Sequence, residues 1–470
     1  MEMLLIQLEK HTETPLYEQI YEQIQRDITS GKLPVGMKLP SKRKLGEFLN
    51  VSQTTIELAY AQLTAEGFIS SQPRKGYYVQ AIEELAYVQP VALTIKPSQW
   101  TKTDAAIDFS PGKIDTESFP FTQWRKYAKE VIDESSQNLL LLGHPHGDYE
   151  LRQEIARYLY HSRGVDCTPE QIIVGSGTEQ LMPLVIRILG IEATYAIEDP
   201  GYPLTHHVFF HNDRKAIPIA VDEEGMDVHA LHRAGATVAY VTPSHQFPTG
   251  TVLSAARRTA LLNWASAQDN HFIIEDDYDS EFRYTGRPIP SLQGMDKGGN
   301  VIYLSTFSKS LMPSLRIAYM VLPPVLLDRY EKAFIHYAAT VPRLDQHILA
   351  RFMADGHFSR HLNRMRKIYR RKLQILTEAL TAYAPHLSFS GDEAGMHIMI
   401  TVHTDIPEEV LTEVARTSDI RVYGLNDYRT APVIGVPSFL LGFGGLATDD
   451  IRNAVDSLMH AWSINKSAGV

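Results

Sequence analysis

A chain of 470 residues exceeds one ordinary hydrophobic core, and at roughly 150 residues per unit its length implies two or three domains. Its formal net charge of -10 excludes a nucleic-acid-binding surface spread over the whole chain, and its single cysteine, Cys167, excludes an internal disulfide or a zinc site of several thiolates. The start of the chain lacks the pattern of a secretory leader and no run approaches the ~20 apolar residues of a membrane span, so a soluble protein of the reducing cytoplasm is expected.

Residues 1–80 read as one self-punctuated block. Leu16, Ile20, Ile24 and Ile28 recur every four residues and predict a helix with a single apolar stripe, ending near Gly31. Pro40-Ser41 opens a second helix, with Ser41 as N-cap and Leu45, Phe48 and Leu49 as its inner face. Asn50-Val51 makes the turn. Ser52 then caps a third helix whose Ile56, Ala59 and Leu63 face inward, which leaves Gln53, Thr54 and Thr55 at the end where a recognition helix touches base edges. Gly67 stops this helix, and Phe68 to Val79 read as strand, basic turn and strand, a wing with Arg74, Lys75 and Gly76 at its tip. The cations Lys42, Arg43, Arg74 and Lys75 cluster at the helix starts and the wing, where phosphate oxygens of a duplex would lie.

This ordered set, Leu39-Pro40-Ser41-Lys42-Arg43-Lys44-Leu45, Val51-Ser52, Ala65-Glu66-Gly67-Phe68-Ile69 and Lys75-Gly76-Tyr77, resembles the GntR-type winged helix over its whole length. The resemblance implies contacts to double-stranded operator DNA from Arg43, the start of the third helix and the wing. Many relatives carry Arg just after the capping Ser, where this chain has Gln53. Gln pairs bidentately with adenine where Arg prefers guanine, so a different base preference is expected.

From Ala81 to Ala105 the periodicity fades and Pro90 and Pro97 appear, the pattern of a linker. Residues 106–470 read as an α/β effector domain. Helical patterns alternate there with the buried-strand runs Ile172–Val174, Thr194–Ile197, Thr237–Val241, Phe272–Ile274, Val301–Leu304 and Ile317–Val321, which suit a mainly parallel sheet. From about residue 342 a smaller α+β part is expected, with a basic amphipathic helix from Arg360 to Leu380 and strands at His397–Val402 and Phe439–Phe443.

The second constellation is spread over this block. Lys309, in Ser305-Thr306-Phe307-Ser308-Lys309, follows a buried strand, where desolvation and neighbouring cations would lower its pKa and prepare it to form a Schiff base. Another buried run ends in Glu275-Asp276-Asp277-Tyr278 at the same sheet edge, where open α/β sheets bind ligands. Asp276 is the candidate to keep a pyridine nitrogen protonated, with Tyr278 donating to a ring oxygen, while Asp277 or Asp279 is expected only to cap the turn. Gly175-Ser176-Gly177-Thr178-Glu179 opens a helix and offers backbone N–H groups and a hydroxyl to a phosphate. Arg316 can pair with that phosphate and Tyr202 can stack on a ring, and Thr306 and Ser308 are counted with Lys309 among the cofactor-binding residues. Together these residue types specify a phosphorylated pyridine aldehyde, the chemical class of pyridoxal 5'-phosphate. No metal ligand set is read.

Over roughly residues 107–465 the chain resembles fold-type I, class I aminotransferases, through Thr242-Pro243-Ser244-His245-Gln246-Phe247-Pro248-Thr249-Gly250, the Asp-Asp-Tyr segment and the Ser-Lys segment. A GntR-type winged helix fused to such a domain resembles the MocR subfamily of transcription regulators. The resemblance implies a homodimer, with the reader of one subunit on the effector domain of the other. It also implies control of genes of amino-acid, amine or vitamin B6 metabolism through the cofactor, an amine or an amino acid. A working aminotransferase with an accessory DNA-binding domain is the alternative. Two departures disfavour it: Phe247 stands where aminotransferases carry a cofactor-binding Asn, and Ser438–Phe443 lacks the expected carboxylate-binding Arg. Pro203-Leu204 and Asp427 also replace arginines of the GABA-responsive members, each a charge-assisted pairing of about 1.5–3 kcal/mol, which disfavours GABA as effector. Arg429 is read as a solvated arginine rather than their substitute.

Overall fold

Serine hydroxyls start the second and third helices of the N-terminal part. In the computed structural model, which describes residues 4–9, 14–81, 105–286 and 289–466, Ser41 Oγ accepts from the Lys44 N–H at 3.3 Å and Ser52 Oγ from the Thr55 N–H at 3.1 Å. The chain divides into two compact units, Met1–Thr101 and Lys102–Val470. The linker expected between Ala81 and Ala105 lies, apart from those two residues, outside the described residues.

The first unit contains helices Leu16–Thr29, Lys42–Leu49 and Gln53–Ala65 and the antiparallel strands Ile69–Gln72 and Gly76–Val79, a winged helix. Ile20, Ile24, Leu45, Ile56, Tyr60 and Leu63 form its dry centre. One expectation fails here: Phe48 is 46 % exposed, and Gly46 is buried instead. A Cβ at Gly46 would stand 3.1 Å from the Val51 carbonyl and 3.7 Å from Ile56 Cγ1, so the turn and the third helix pack tightly on this position. The inner face of the short helix is therefore rotated away from Phe48.

The second unit is built on an eight-stranded sheet in the order Ile172–Gly175, Ala318–Val321, Val301–Thr306, Phe272–Asp277, Val238–Val241, Tyr195–Asp199, Ala216–Asp222, Gly225–Met226. All six expected runs are strands. The pairings are parallel except those of Ala318–Val321 and Gly225–Met226. Adjacent residues such as Ile273 and Ile274 feed separate apolar layers on the two faces, the reason these runs are hydrophobic without alternation. The strand Ala216–Asp222 escaped the sequence reading because it lies near the sheet margin, carries Pro218 and buries only Ile219 fully.

Helix His357–Thr381 extends past both ends of the expected basic pattern. It packs against helix Ile451–Ala461 beside a four-stranded antiparallel sheet of Leu387–Ser390, His397–Val402, Ser438–Gly442 and Tyr423–Gly424. Ile107–Asp108 pairs in parallel with Ile420–Arg421 and ties the start of the unit to this smaller part. Among the described residues no helix is long and apolar enough to cross a membrane.

Candidate functional sites

In the winged helix, Gln53 and Thr54 are exposed at the start of helix Gln53–Ala65, whose first turn contains no acidic residue. Thr55 is partly withdrawn, its Oγ1 lying 2.8 Å from Ser52 Oγ. Arg43 projects into solvent with its side chain 81 % exposed and meets Glu47 at 2.9 Å, an exposed pair that a phosphate can replace at little cost. Lys42 departs from the expectation of a free phosphate ligand. Its ammonium pairs with Glu57 and lies 5.6 Å over the Tyr77 ring, so it ties its helix to the third helix and the wing. At the wing tip Arg74 and Lys75 are exposed, and Arg74 adopts a left-handed φ of 63°. Gly76, at φ 111°, serves the hairpin: a Cβ there would sit 3.3 Å from Lys38 Cε.

In the larger unit, the ends of the central strands surround a cavity of about 420 Å³. Its wall includes Lys309, Asp276, Tyr278, Tyr202, Gly177, Thr178, Glu179, Thr306, Ser308 and Arg316. Residues separated by more than a hundred positions thus meet in one wall. Ser176 does not line this wall, and its N–H donates to Gln180 Oε1 at 3.2 Å.

Lys309 lies in the short helix Phe307–Ser310 and donates to the Pro111 carbonyl. Burial pushes its amine down to about 8, with Asp279 opposing the shift. The expected neighbouring cations are not the cause; desolvation is. Asp276 is 6 % exposed, and one of its oxygens accepts from the Tyr240 hydroxyl while Oδ1 is buried with no hydrogen-bond partner. Burial raises its carboxyl to about 7, the Tyr240 hydrogen bond working against this and the charges of Asp277 and Asp279 adding to it.

The glycine turn is shaped for close approach. Gly177 has φ 151°, and a Cβ there would run into the Arg316 guanidinium and the Glu179 carboxylate, which pair with each other. Glu179 therefore stands as the partner of Arg316. Tyr278 donates to the His245 carbonyl at 2.9 Å and lies 3.0 Å from His245 Nδ1, so its phenol proton is already engaged. Tyr202 is 43 % exposed and meets Phe247 edge-on at 5.4 Å. Phe247 fills its position with an apolar ring packed on Tyr278, His397 and Tyr428.

Asp277 and Asp279 are not the turn caps expected of them. Asp277 accepts from Arg163 at 2.7 Å and from the Tyr303 hydroxyl at 2.5 Å, and Asp279 meets His245 Nδ1 at 3.0 Å. The acid that holds a helix start is Glu275, which accepts from the N–H groups of Leu292 and Gln293 at 2.9 Å each. His245, Asp279 and His397, none of them singled out as ligands, are buried with ligand-capable atoms within 4.8 Å of one another. All three are engaged, since His397 Nε2 faces the Pro248 carbonyl at 3.1 Å and His245 Nδ1 and Asp279 hold each other. Burial holds His397 well below the usual imidazole range and therefore neutral.

Arg429, read as solvated, is half-buried and, with Asp427, His206 and His207, lines a cavity of about 200 Å³. Tyr202, Tyr240 and Tyr428 line both cavities. The sequence reading missed Tyr240 and Pro111. Tyr240 had a faint signal, a phenol inside the apolar run Val238–Val241; the Pro111 carbonyl had none, because its contact with Lys309 spans 198 positions.

Residues 105–425 match the family described as aminotransferase class I and II, and residues 16–79 match the bacterial regulatory proteins of the gntR family. The uncharacterized HTH-type transcriptional regulator YdeL of Bacillus subtilis is 41 % identical over 460 residues, covering 97 % of this chain and 99 % of that protein. The probable rhizopine catabolism regulatory protein MocR of Rhizobium meliloti is 31 % identical over 488 residues, covering 99 % and 97 %. The kynurenine aminotransferase of Pyrococcus horikoshii, crystallised with PMP, is 25 % identical with a TM-score of 0.69, covering 77 % of this chain and 91 % of that one. The class I aminotransferase fold is one that depends on pyridoxal phosphate. With both units matched and the regulators aligned almost end to end, the chain belongs to the MocR subfamily of GntR-type, DNA-binding transcription regulators.

Proposed function

We propose that the larger unit holds pyridoxal 5'-phosphate on Lys309, and that the cofactor, or an amine or amino acid entering beside it, sets how a homodimer grips its operator. The observation that carries this reading is Asp276 Oδ1, a buried carboxylate oxygen without a partner in the same cavity wall as a lysine whose amine is pushed down to about 8. Such an oxygen suits a protonated ring nitrogen. When bound, the cofactor supplies an aldehyde for amines and an electron-accepting ring. Asp276 holds the proton at the ring nitrogen, with Tyr240 orienting the carboxylate. The N–H groups and hydroxyl at Gly177-Thr178, with Ser308 and Arg316, receive the phosphate. Tyr202 covers the ring, and Arg429 in the adjoining cavity offers a guanidinium to the carboxylate of an amino-acid effector.

The regulatory reading is tested by measuring operator affinity on cofactor-stripped and cofactor-loaded protein. A change of about 5- to 150-fold is expected for coupling of ordinary strength. Identical affinity and footprint in both states, with and without added amines, would sink it. Release of keto acid at enzymic rates from added amino acids would instead favour a working aminotransferase, which Phe247 and the arginine-free strand Ser438–Gly442 disfavour.

At the reader, Arg43 is assigned to a phosphate and Gln53 to a base edge, so their replacements should differ in kind. Arg43→Ala is expected to weaken binding to all sequences and to reduce the salt slope by about one. Gln53→Ala should relax base preference at one position by about 1–3 kcal/mol. Equal losses on specific and random DNA for both variants would contradict this division.

A further inference from the structure

Between helix Tyr149–Arg163, the loop that follows strand Phe272–Asp277, and helix His357–Thr381 lies a cavity of about 450 Å³ that shares no lining residue with the cofactor cavity. Its floor is apolar, with Phe358 and Leu362 at 1 % and 4 % exposure. Its rim is cationic, carrying Arg157, Arg283, Arg366 and Arg370. We propose that this cavity binds a small organic anion of the phosphate-monoester class, its charged head on the guanidinium rim and its apolar body on the floor.

The argument rests on where the positive charge is already used. Arg163, on the inner wall, is fully committed, donating to Asp277, to the Ile289 carbonyl and to Ser244 Oγ. Arg157 has Glu154 at 2.9 Å. The others are poorly compensated. Arg283 reaches Glu393 only at 3.4 Å, and its Nε is buried without a partner. Arg366 donates to the Glu281 carbonyl and Asn363 Oδ1, and Arg370 to the Tyr284 carbonyl. These are neutral acceptors, and neither arginine has a carboxylate partner among the described residues.

The other acid in the wall does not balance them. Glu281 accepts from the Tyr158 hydroxyl at 3.2 Å, and burial pushes its carboxyl up to about 8, so it is mostly protonated at neutral pH. Guanidinium groups held together over an apolar floor repel one another, and a dianion relieves that repulsion while meeting their planar donor forks. The groups line a concavity, which favours a small ligand over the ridge of a DNA backbone. Through Arg163 and Asp277 the cavity also abuts the strand that carries Asp276, so an anion there has a direct mechanical route to the cofactor cavity.

The test is calorimetric titration of the full-length protein, saturated with pyridoxal 5'-phosphate so that the cofactor's own phosphate subsite is filled, with phenyl phosphate as probe. One site per chain is expected, with inorganic phosphate binding more weakly because it leaves the floor uncovered. Arg366→Gln and Arg370→Gln should each weaken phenyl phosphate by about tenfold or more. Circular dichroism and the thermal midpoint of each variant would confirm that it folds. The proposal is overturned if no binding is seen, or if properly folded Arg366→Gln and Arg370→Gln proteins bind as the wild type does. Loss caused by Arg316→Gln and not by Arg366→Gln also overturns it, since the probe would then occupy the cofactor cavity. So does weakened operator binding in Arg366→Gln with no phenyl phosphate uptake by the wild type, which would make this face a DNA contact. A protein that takes up no cofactor would defeat the preceding section's reading alone, because the arginine variants still tell the two cavities apart.

Discussion

Lys309→Ala is expected to abolish the near-visible band that covalent attachment of the cofactor to this amine produces. Only an uncharged amine attacks an aldehyde, and burial brings this amine down to about 8 from an ordinary lysine value of 10.5. The uncharged fraction therefore rises as pH climbs through about 8, and the rate at which the band forms on adding pyridoxal 5'-phosphate should rise with it and level off above. A lysine in water would instead show a rate still climbing beyond pH 10, near its ordinary value of 10.5. Asp276→Asn should leave the band formed but the cofactor weakly retained, since an amide cannot balance a protonated ring nitrogen. Retention of the band in Lys309→Ala, or its loss on changing Lys297 and not Lys309, would overturn the assignment.

Inserting five base pairs between the operator repeats is expected to cost most of the specific affinity, and a ten-base-pair insertion to restore it, because about half a helical turn moves one half-site to the far side of the duplex. The expectation follows from a homodimer holding two winged helices at fixed spacing. A reader of the size of Gln53–Ala65 covers a short half-site, and the second reader converts its own binding into an intramolecular step worth about 10²–10⁴ in avidity. Self-association has support in the larger unit. The consecutive Leu140, Leu141 and Leu142 are 78 %, 70 % and 87 % exposed, with Ile132 at 66 % and Phe121 at 60 %, an apolar exposure that a solvated surface rarely keeps. Affinity unchanged by the five-base-pair insertion would mean that the readers act independently.

The local features of this protein were legible because they obey short-range rules. Ser41 and Ser52 cap helices because a hydroxyl at that position meets a free N–H three residues on, whatever lies elsewhere in the chain. The six strand runs were legible for a similar reason: burial on both faces of a parallel sheet leaves a continuous apolar stretch. The residues proposed to hold the cofactor could be picked by type, since a lysine, an acid and a glycine turn at strand ends carry their chemistry with them. Their partners could not. Which oxygen of Asp276 stays free, and that Tyr240 takes the other, depends on the neighbouring strand's register.

The errors share one physical cause, the competition of a charged or apolar group for neighbours that are remote in sequence. Lys42 is drawn to Glu57 and Tyr77, Asp277 to Arg163 and Tyr303, and Asp279 to His245. Phe48 turns outward because the turn and the third helix close over Gly46. The Lys309 amine is shifted by desolvation, as the buried strand before it implied, but the cations also expected beside it are replaced by Asp279, which lies 30 positions back in the chain. Sequence alone thus determined the two modules, their elements and the chemical types gathered at strand ends, since propensity, capping and hydrophobic period act within a few residues. Tertiary structure alone decided which groups are spent on one another and which are left for a ligand, because that depends on distance and burial across positions far apart in the chain.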